Sequence, residues 1–592
     1  MKTKMLKWDL KKIYEDTDRW EKDFSKYCNL LPKIEYYNGK LINKENILAC
    51  LKLLKQIELT VEPLYFYAHN LKNLDVSNSK SQELVNKIEG AISQQMTLTS
   101  FVIPQLSMLD IKLIDEILAD KDFFDFEKIF KDIKREKPHI LSEENEKLLS
   151  SISLFGDGFS DNFSNFENGD LKFNNVKNSH DKSLPLTESL ASKYLMGGDR
   201  ILRKNAFIER NSAFGRYNNF ITSNYLSNVK KDIFYARARK FSTALEASLF
   251  YEEVGADIYS RLVSKVEENL SLNHKYFATK KRSLGYSSIN LYDIYFNQFQ
   301  NKNDYTYDQA FDIVCNALAV LGRDYIDRLN EFAEKGQIDV YPDKNKYNGA
   351  YESCIYNHDP LVLLNFSGKF NDVSTIAHEL GHAMHSYYSN KNQSFYNAGY
   401  KIFLAEIAST VNEFLLNDFM LNHSKNDDDK LFFISEFLQT FNATVFRQTM
   451  FASFEEKIHS IVENNEVISS EVVNNLYLNL VKKYFGKSVR IHDVIKYEWS
   501  RIPHFYTSFY VYKYATGLIS AINIVKNLQE GNISVDDYKK FLSSGCTNDP
   551  INLLKIVKVD LTDDKTFDKA FSVFKDYLDN FEKLTKSKKL KK

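Results

Sequence analysis

Only nine prolines and twenty glycines punctuate 592 residues. Both residue types break helices, so their scarcity favours long helices over a many-turned sheet. The patterning agrees. Up to about residue 150, apolar residues recur with helical spacing, as in Ile47-Leu48-Ala49-Cys50-Leu51-Lys52-Leu53-Leu54. From Phe155 to Ser183 the texture shifts to Gly, Asn, Asp, Ser and Phe, and Asn168-Gly169 between short aromatic stretches predicts a β-turn and a hairpin. Helical patterning resumes at Leu186. A small β-like patch follows at Ile338 to Tyr341, Gly349 to Glu352 and Leu361 to Phe366, and the remainder reads as helix to about Phe581. The expected organisation is a helical region over 1–185 ending in a β-hairpin segment, a second region over 186–585, and a basic tail over 586–592. The tail, with Lys586, Lys588, Lys589, Lys591 and Lys592, reads as a solvated, frayed end.

Net charge is −1, so nothing favours nucleic acid or an anionic membrane as partner. No apolar run reaches the roughly 20 residues of a membrane helix, and the charged start lacks the apolar core of a signal peptide. Cys28, Cys50, Cys315, Cys354 and Cys546 are an odd, scattered set without a C-x-x-C pair. They read as reduced thiols of a cytoplasmic protein rather than a disulfide framework.

The chemistry concentrates in His378-Glu379-Leu380-Gly381-His382, an H-E-x-x-H arrangement inside a helix-compatible segment, Val373 to Tyr388. Positions i and i+4 share a helix face, so both imidazoles can reach one metal ion. Glu379 is rotated about 100° from His378, beside the metal rather than on it, where it can act as base on a metal-bound water. Ser374 is a candidate helix cap, and Asp372 favours the helix start electrostatically. Gly381 sits mid-helix at a cost of about 1 kcal/mol against Ala, which makes sense if another backbone packs closely there.

A catalytic zinc site usually takes three protein ligands and leaves one position open. From Ala383 to Ala405 there is no Asp or Glu; the first carboxylate is Glu406, in a segment, Phe403 to Thr410, that reads as a second helix after a polar turn from Ser389 to Gly399. Two antiparallel helices would return Glu406 to the His pair. His385 competes as third ligand, since i, i+4 and i+7 share a face, but three ligands on one helix leave less room for substrate. Glu413, two turns beyond Glu406, is a candidate partner for a ligating His.

Together, Ala377 to Ser386 and Ala405 to Thr410 resemble oligoendopeptidase F, of the thimet oligopeptidase superfamily of zinc metallopeptidases. The resemblance covers nearly the whole chain: Ala236-Arg237-Ala238-Arg239 to Leu249, Gly349-Ala350-Tyr351, Leu363 to Gly368, Trp499 to Tyr506, and Phe509 to Gly517 fall in the family's order. It implies a mostly α-helical, two-lobed metallopeptidase with a small β-sheet beside the zinc helix and a deep substrate cleft or channel. It also implies one zinc per chain and endopeptidase action on short oligopeptides. An edge strand of the small sheet can align an extended peptide through main-chain hydrogen bonds, with Gly349, Ala350 and Tyr351 as candidates. Leu361 to Leu364, mostly apolar, fits a buried structural strand equally well.

A hydrolytic oxyanion needs a further donor, and related peptidases use a His and one or more Tyr after the zinc motif. Pro503 suits a first helical turn, His504 follows it, and the expected helix then carries Tyr506, Tyr510, Tyr512 and Tyr514. Phe505 and Phe509 stand where a gapless match to thimet-type enzymes would put Tyr. The expectation is His504, Tyr512 and Tyr510 as catalytic donors and Tyr506 as a substrate contact; each of these Tyr could equally be a core aromatic. The sequence thus points to a zinc-dependent endopeptidase with His378, His382 and Glu406 as ligands and Glu379 as general base. A carboxypeptidase-type relative and a peptide-binding protein without turnover are the alternatives. A purely structural zinc site fits poorly, because it would normally fill all four positions with Cys or His and has no use for Glu379.

Overall fold

A computed structural model describes residues 4–152, 156 and 158–590. Met1 to Thr3 of the charged start, Phe155 of the expected β segment, and Lys591 and Lys592 of the basic tail lie outside the described residues, as does the Lys589 side chain. The chain is mostly helical and divides into two compact units, each drawn from three stretches: 1–140, 303–416 and 524–558 form one, and 141–302, 417–523 and 559–592 the other. The boundary expected near residue 185 lies inside the second unit.

The first unit is built on helices whose apolar faces converge. The 31-residue helix Lys44–Leu74 starts at Asn43, whose side chain accepts from the Asn46 N–H, and buries Ile47, Leu51, Leu54 and Leu64. These pack with Trp20, Ile88, Ile114 and Phe130 into one core that reaches Leu361 and Leu363 of a three-stranded sheet. In that sheet Leu361–Leu363 is the central strand, parallel to Ile338–Asp339 and antiparallel to Tyr351–Ser353. Leu361–Leu363 is buried on both faces and is structural, which decides between its two sequence readings. The N-terminal segment ties down the opposite side: Trp8 donates its N–H to Asp339 Oδ2 (3.2 Å) and its indole N–H to Val362 O (2.9 Å). Tyr351–Ser353 is left as an edge strand.

The second unit holds long helices, among them Asn218–Ala238, Arg447–Glu463 and Asp564–Leu590, with two two-stranded pairings among the described residues. The hairpin is not at Asn168-Gly169. Those residues continue a helical turn in which the Leu171 N–H reaches Phe166 O (2.8 Å), and the buried Phe163 and Phe166 anchor it. The hairpin pairs Val176–Lys177 with Ser183–Leu184. Its turn is made by Asn178, whose side chain accepts from the His180 and Lys182 N–H groups, and by Asp181 at φ 58°. The basic tail is not frayed as far as Leu590: it continues the last helix, with Lys586 paired to Glu582 (2.9 Å) and Lys588 to Asp428. In the interior, Glu498 accepts from Arg501 Nη2 (2.8 Å), Tyr477 OH (2.7 Å) and Arg447.

Candidate metal centre

The helix expected at Val373–Tyr388 spans Phe370–Asn392. Ser374 is not its cap, because the helix starts four residues earlier; Asp372 does that work, accepting from the Ser367 and Lys369 N–H groups (3.1 and 2.8 Å). Ser389 to Asn392, expected in a turn, extend this helix. After the short helix Phe395–Ala398 comes the helix Ile402–Asn422. The two long helices run antiparallel, since His378 meets Glu413, Gly381 meets Ser409 and His382 meets Glu406.

Gly381 explains how they come so close. A Cβ at that position would lie 2.5 Å from Ser409 Cα and 2.8 Å from Ala408 O. Asn412 adds a cross-bond, donating from Nδ2 to Ala377 O at 3.0 Å. This approach sets Glu406 against the imidazoles: His378 Nε2 and His382 Nε2 are 3.6 and 3.7 Å from Glu406 Oε2, and 3.1 Å from each other. The fit to a cation can be checked by length. Bonds of about 2.0–2.1 Å to a tetrahedral ion separate its donor atoms by about 3.3 Å, close to all three spacings. His378, His382 and Glu406 therefore form a group that could hold a metal ion. Glu413 Oε1 lies 3.0 Å from His378 Nδ1, so Nδ1 donates and Nε2 keeps its lone pair for a cation.

Burial depresses His378, but the Glu413 bond and the carboxylates of Glu413, Glu379 and Glu406 outweigh it, holding His378 above its usual value. His382 is pushed down to about 4 by burial and by His378. Glu379 is buried and raised to about 7 by that burial, with His378 and the nearby Glu352 backbone opposing and Glu406 adding. His385 is not in the donor group. It is buried and stacked on Tyr400, ring centroids 3.7 Å apart and planes 5° from parallel.

The edge strand runs beside this helix. Gly349 sits at φ 99° and its carbonyl accepts from Asn365 Nδ2 (2.7 Å); with Ala350, Asn365, Asn371 and Thr375 it lines a cavity of about 200 Å³. Tyr351 turns towards Asn73 and Asn70 (2.7 and 3.0 Å), so the next side chain, Glu352, turns the other way, towards Ser386 and Glu379. Burial pushes the Glu352 carboxyl up to about 8, with the nearby Ser386 hydroxyl opposing and Glu379 adding. Sequence reasoning stopped at Tyr351 and missed Glu352; strand alternation was the signal available.

In the second unit the expected helix through Tyr506 and Tyr514 is broken. A short 3₁₀ turn covers Pro503–Tyr506, Phe509 takes φ 58°, and a new helix starts at Tyr512. The break regroups the aromatics. His504 Nε2 lies 3.0 Å from Tyr514 OH, and its ring stacks on Tyr510 at 5.8 Å. Tyr512 is not part of this group: it is fully buried against Tyr259 (5.4 Å). Tyr506 is not either; it is buried, its hydroxyl accepts from Asn224 Nδ2 (3.1 Å) and its ring stacks on Phe163. Both became core residues because the break changes the helical register on which the sequence assignment relied.

The peptidase family M3 sequence model matches residues 194–573, and an oligopeptidase F model matches residues 106–173. The chain belongs to peptidase family M3 and is a metallopeptidase. It is 36% identical over 581 residues to the oligopeptidase PepF of Bacillus subtilis, covering 98% of this chain and 87% of that protein. Group B oligopeptidase PepB of Streptococcus agalactiae is 30% identical, with 98% and 96% covered. Among solved structures, one from Chlamydophila abortus superposes with a TM-score of 0.92 at 32% identity, covering 98% of both chains. Oligoendopeptidase-F of Enterococcus faecium superposes at 0.75 and 26% identity, covering 96% of this chain and 99% of that one.

Proposed function

We propose that this metallopeptidase is a zinc-dependent endopeptidase acting on internal bonds of short, unstructured peptides. The observation that carries the reading is the trio His378, His382 and Glu406 at tetrahedral spacing, with the buried Glu379 carboxyl beside it. Two imidazoles and one carboxylate are a donor set of catalytic zinc sites. A zinc ion bound there would supply Lewis acidity to a water and to a peptide carbonyl. Glu379 accepts the proton of the attacking water and later delivers it to the leaving amine. Glu413 keeps His378 in the tautomer that presents Nε2.

Gly349, Ala350 and the edge strand from Tyr351 bind substrate through the main chain, which tolerates varied side chains. His504, with Tyr510 and Tyr514 in place of Tyr512, donates to the oxyanion; this role rests on the family resemblance, on the His504–Tyr514 hydrogen bond and on the packing of the Tyr510 ring against both. The names of the relatives, oligopeptidase and oligoendopeptidase F, favour short substrates cut internally. The five cysteines are all free, which favours the cytoplasm. Among the described residues no single helix is long and apolar enough to cross a membrane.

The test is cleavage of internally quenched peptides of graded length by the zinc-loaded protein, with and without chelator, beside Glu379→Gln. Cleavage should fall at internal bonds of short peptides and stop on chelation. The variant should keep its zinc yet turn over at least about a thousandfold more slowly. Equal rates for variant and wild type would refute the assigned base, and loss of cleavage on C-terminal amidation would favour the carboxypeptidase alternative.

A further inference from the structure

Phe509 is a bulky, buried residue at φ 58°, a backbone state that L side chains avoid. Such a conformation persists only where its surroundings impose it. The surroundings here are two acidic side chains from two helices of the same unit. Glu455, on the helix Arg447–Glu463 and fully buried, accepts the Phe509 N–H through Oε1 at 2.8 Å. Asp232, on the helix Asn218–Ala238, accepts from the Ser508 hydroxyl and from Asn228 Nδ2 (3.3 Å). His459 sits one turn from Glu455, donates from Nδ1 to Glu455 O (2.9 Å), turns Nε2 towards Asp232 (3.7 Å) and packs its ring on Phe509. The Ser508 carbonyl is taken by Ser248 Oγ at 3.2 Å.

The consequence lies in the chain on either side. Were residues 503–514 one continuous helix, His504 and Tyr514, ten residues apart, would be separated along the axis by about 15 Å. Their polar atoms are 3.0 Å apart. The contact exists because the chain leaves the helix over residues 507–511, where Phe509 turns left-handed with its N–H on Glu455 and the Ser508 hydroxyl on Asp232.

We propose that Glu455, together with Asp232, is a positioning residue for the His504–Tyr510–Tyr514 group, acting by clamping Ser508-Phe509 in a left-handed turn. The inference rests on the transition-state role given to that group above. Burial raises Glu455 above the usual carboxyl value, and the oxygen of an amide can accept the Phe509 N–H in the same place. Glu455 touches no substrate in this scheme; it acts through the backbone.

The test measures kcat and KM of the zinc-loaded full chain on a short quenched peptide for wild type, Glu455→Leu, Glu455→Gln, His504→Ala and the double variant Glu455→Leu/His504→Ala. Glu455→Leu should lower kcat on the order of tenfold to a hundredfold, the scale of a misplaced catalytic group, with KM within about threefold of wild type. Glu455→Gln should restore most of that loss. In the double variant kcat should match His504→Ala within about threefold, because the clamp has nothing left to position. Wild-type kcat in Glu455→Leu, or losses that multiply in the double variant, would overturn the proposal. Should Glu455→Leu not fold, Ser508→Ala tests the Asp232 half, with kcat lowered about threefold to tenfold and the same failure to multiply; unchanged kcat there overturns it equally. A wild-type rate in His504→Ala refutes the role given to that group, and an inactive wild-type protein refutes the function itself; neither result resembles failure of the clamp alone.

Discussion

Replacing Gly381 by Ala tests whether the backbone approach of two helices sets the metal site. The added Cβ would sit 2.5 Å from Ser409 Cα, and carbon atoms make contact at about 3.5–4.0 Å, so the helices must part by about 1 Å. Two effects oppose each other. Ala gains about 1 kcal/mol over Gly as a helix former. Overpacking costs about 1–3 kcal/mol, and its upper end applies here because the obstructing atoms are backbone. The expected net is a loss of roughly 2 kcal/mol by that comparison.

The same parting moves Glu406, one turn before Ser409 on the same helix, away from the imidazoles. Its Oε2 distances of 3.6 and 3.7 Å would open to about 4.6 Å. A tetrahedral ion needs about 3.3 Å, so zinc affinity should fall at least about tenfold to a hundredfold. Chelator competition gives the dissociation constant, and urea unfolding with and without zinc separates the site from the fold. Unchanged affinity together with a stability gain would refute the reasoning, because it would mean the helices repack without moving the ligand.

Glu413→Ala should weaken zinc binding about tenfold to a hundredfold in the same competition assay, since His378 Nδ1 loses the acceptor 3.0 Å away; unaltered affinity would show that the bond does not orient the ligand. A second expectation concerns acid stability. Glu498 is held at about 2, because Arg447, Arg501 and Tyr477 outweigh the burial that would raise it, whereas an ordinary Glu sits near 4.5. Depression below the unfolded value means that the stabilisation is present above about pH 4.5 and lost as pH falls towards 2, on the order of 3 kcal/mol in all. Urea midpoints at about pH 5 and about pH 3 should differ more in wild type than in Glu498→Gln, which should also be less stable at neutral pH; equal pH dependence would sink the assignment.

What could be read from the chain followed the range of the interaction involved. His378 and His382 are four residues apart on one helix, so their convergence is local geometry and visible in the letters. Gly381 announced a close neighbour by its helix cost, but nothing local named Ser409 as that neighbour. Glu406 was reachable because the run before it holds no competing carboxylate. Tyr512 was misplaced for the opposite reason. Its register depends on the φ of Phe509, and that φ depends on a carboxyl 54 residues away. The same limit explains Asn168-Gly169, a strong turn pair overruled by Phe163 and Phe166 anchoring a helical turn in the core.

The way the chain alternates between its two units bears on how it is made. The first unit takes its last segment from residues 524–558, and Gly545 and Cys546 lie against Asn397 in that unit. The chain as far as residue 558 must therefore leave the ribosome before the fold around the metal ligands can close, and the second unit waits longer still, for the helix Asp564–Leu590. Early helices such as Lys44–Leu74 spend that interval with an apolar face exposed, a natural client state for chaperones. Truncation before residue 558 should remove part of both units, and truncation beyond it part of the second unit alone.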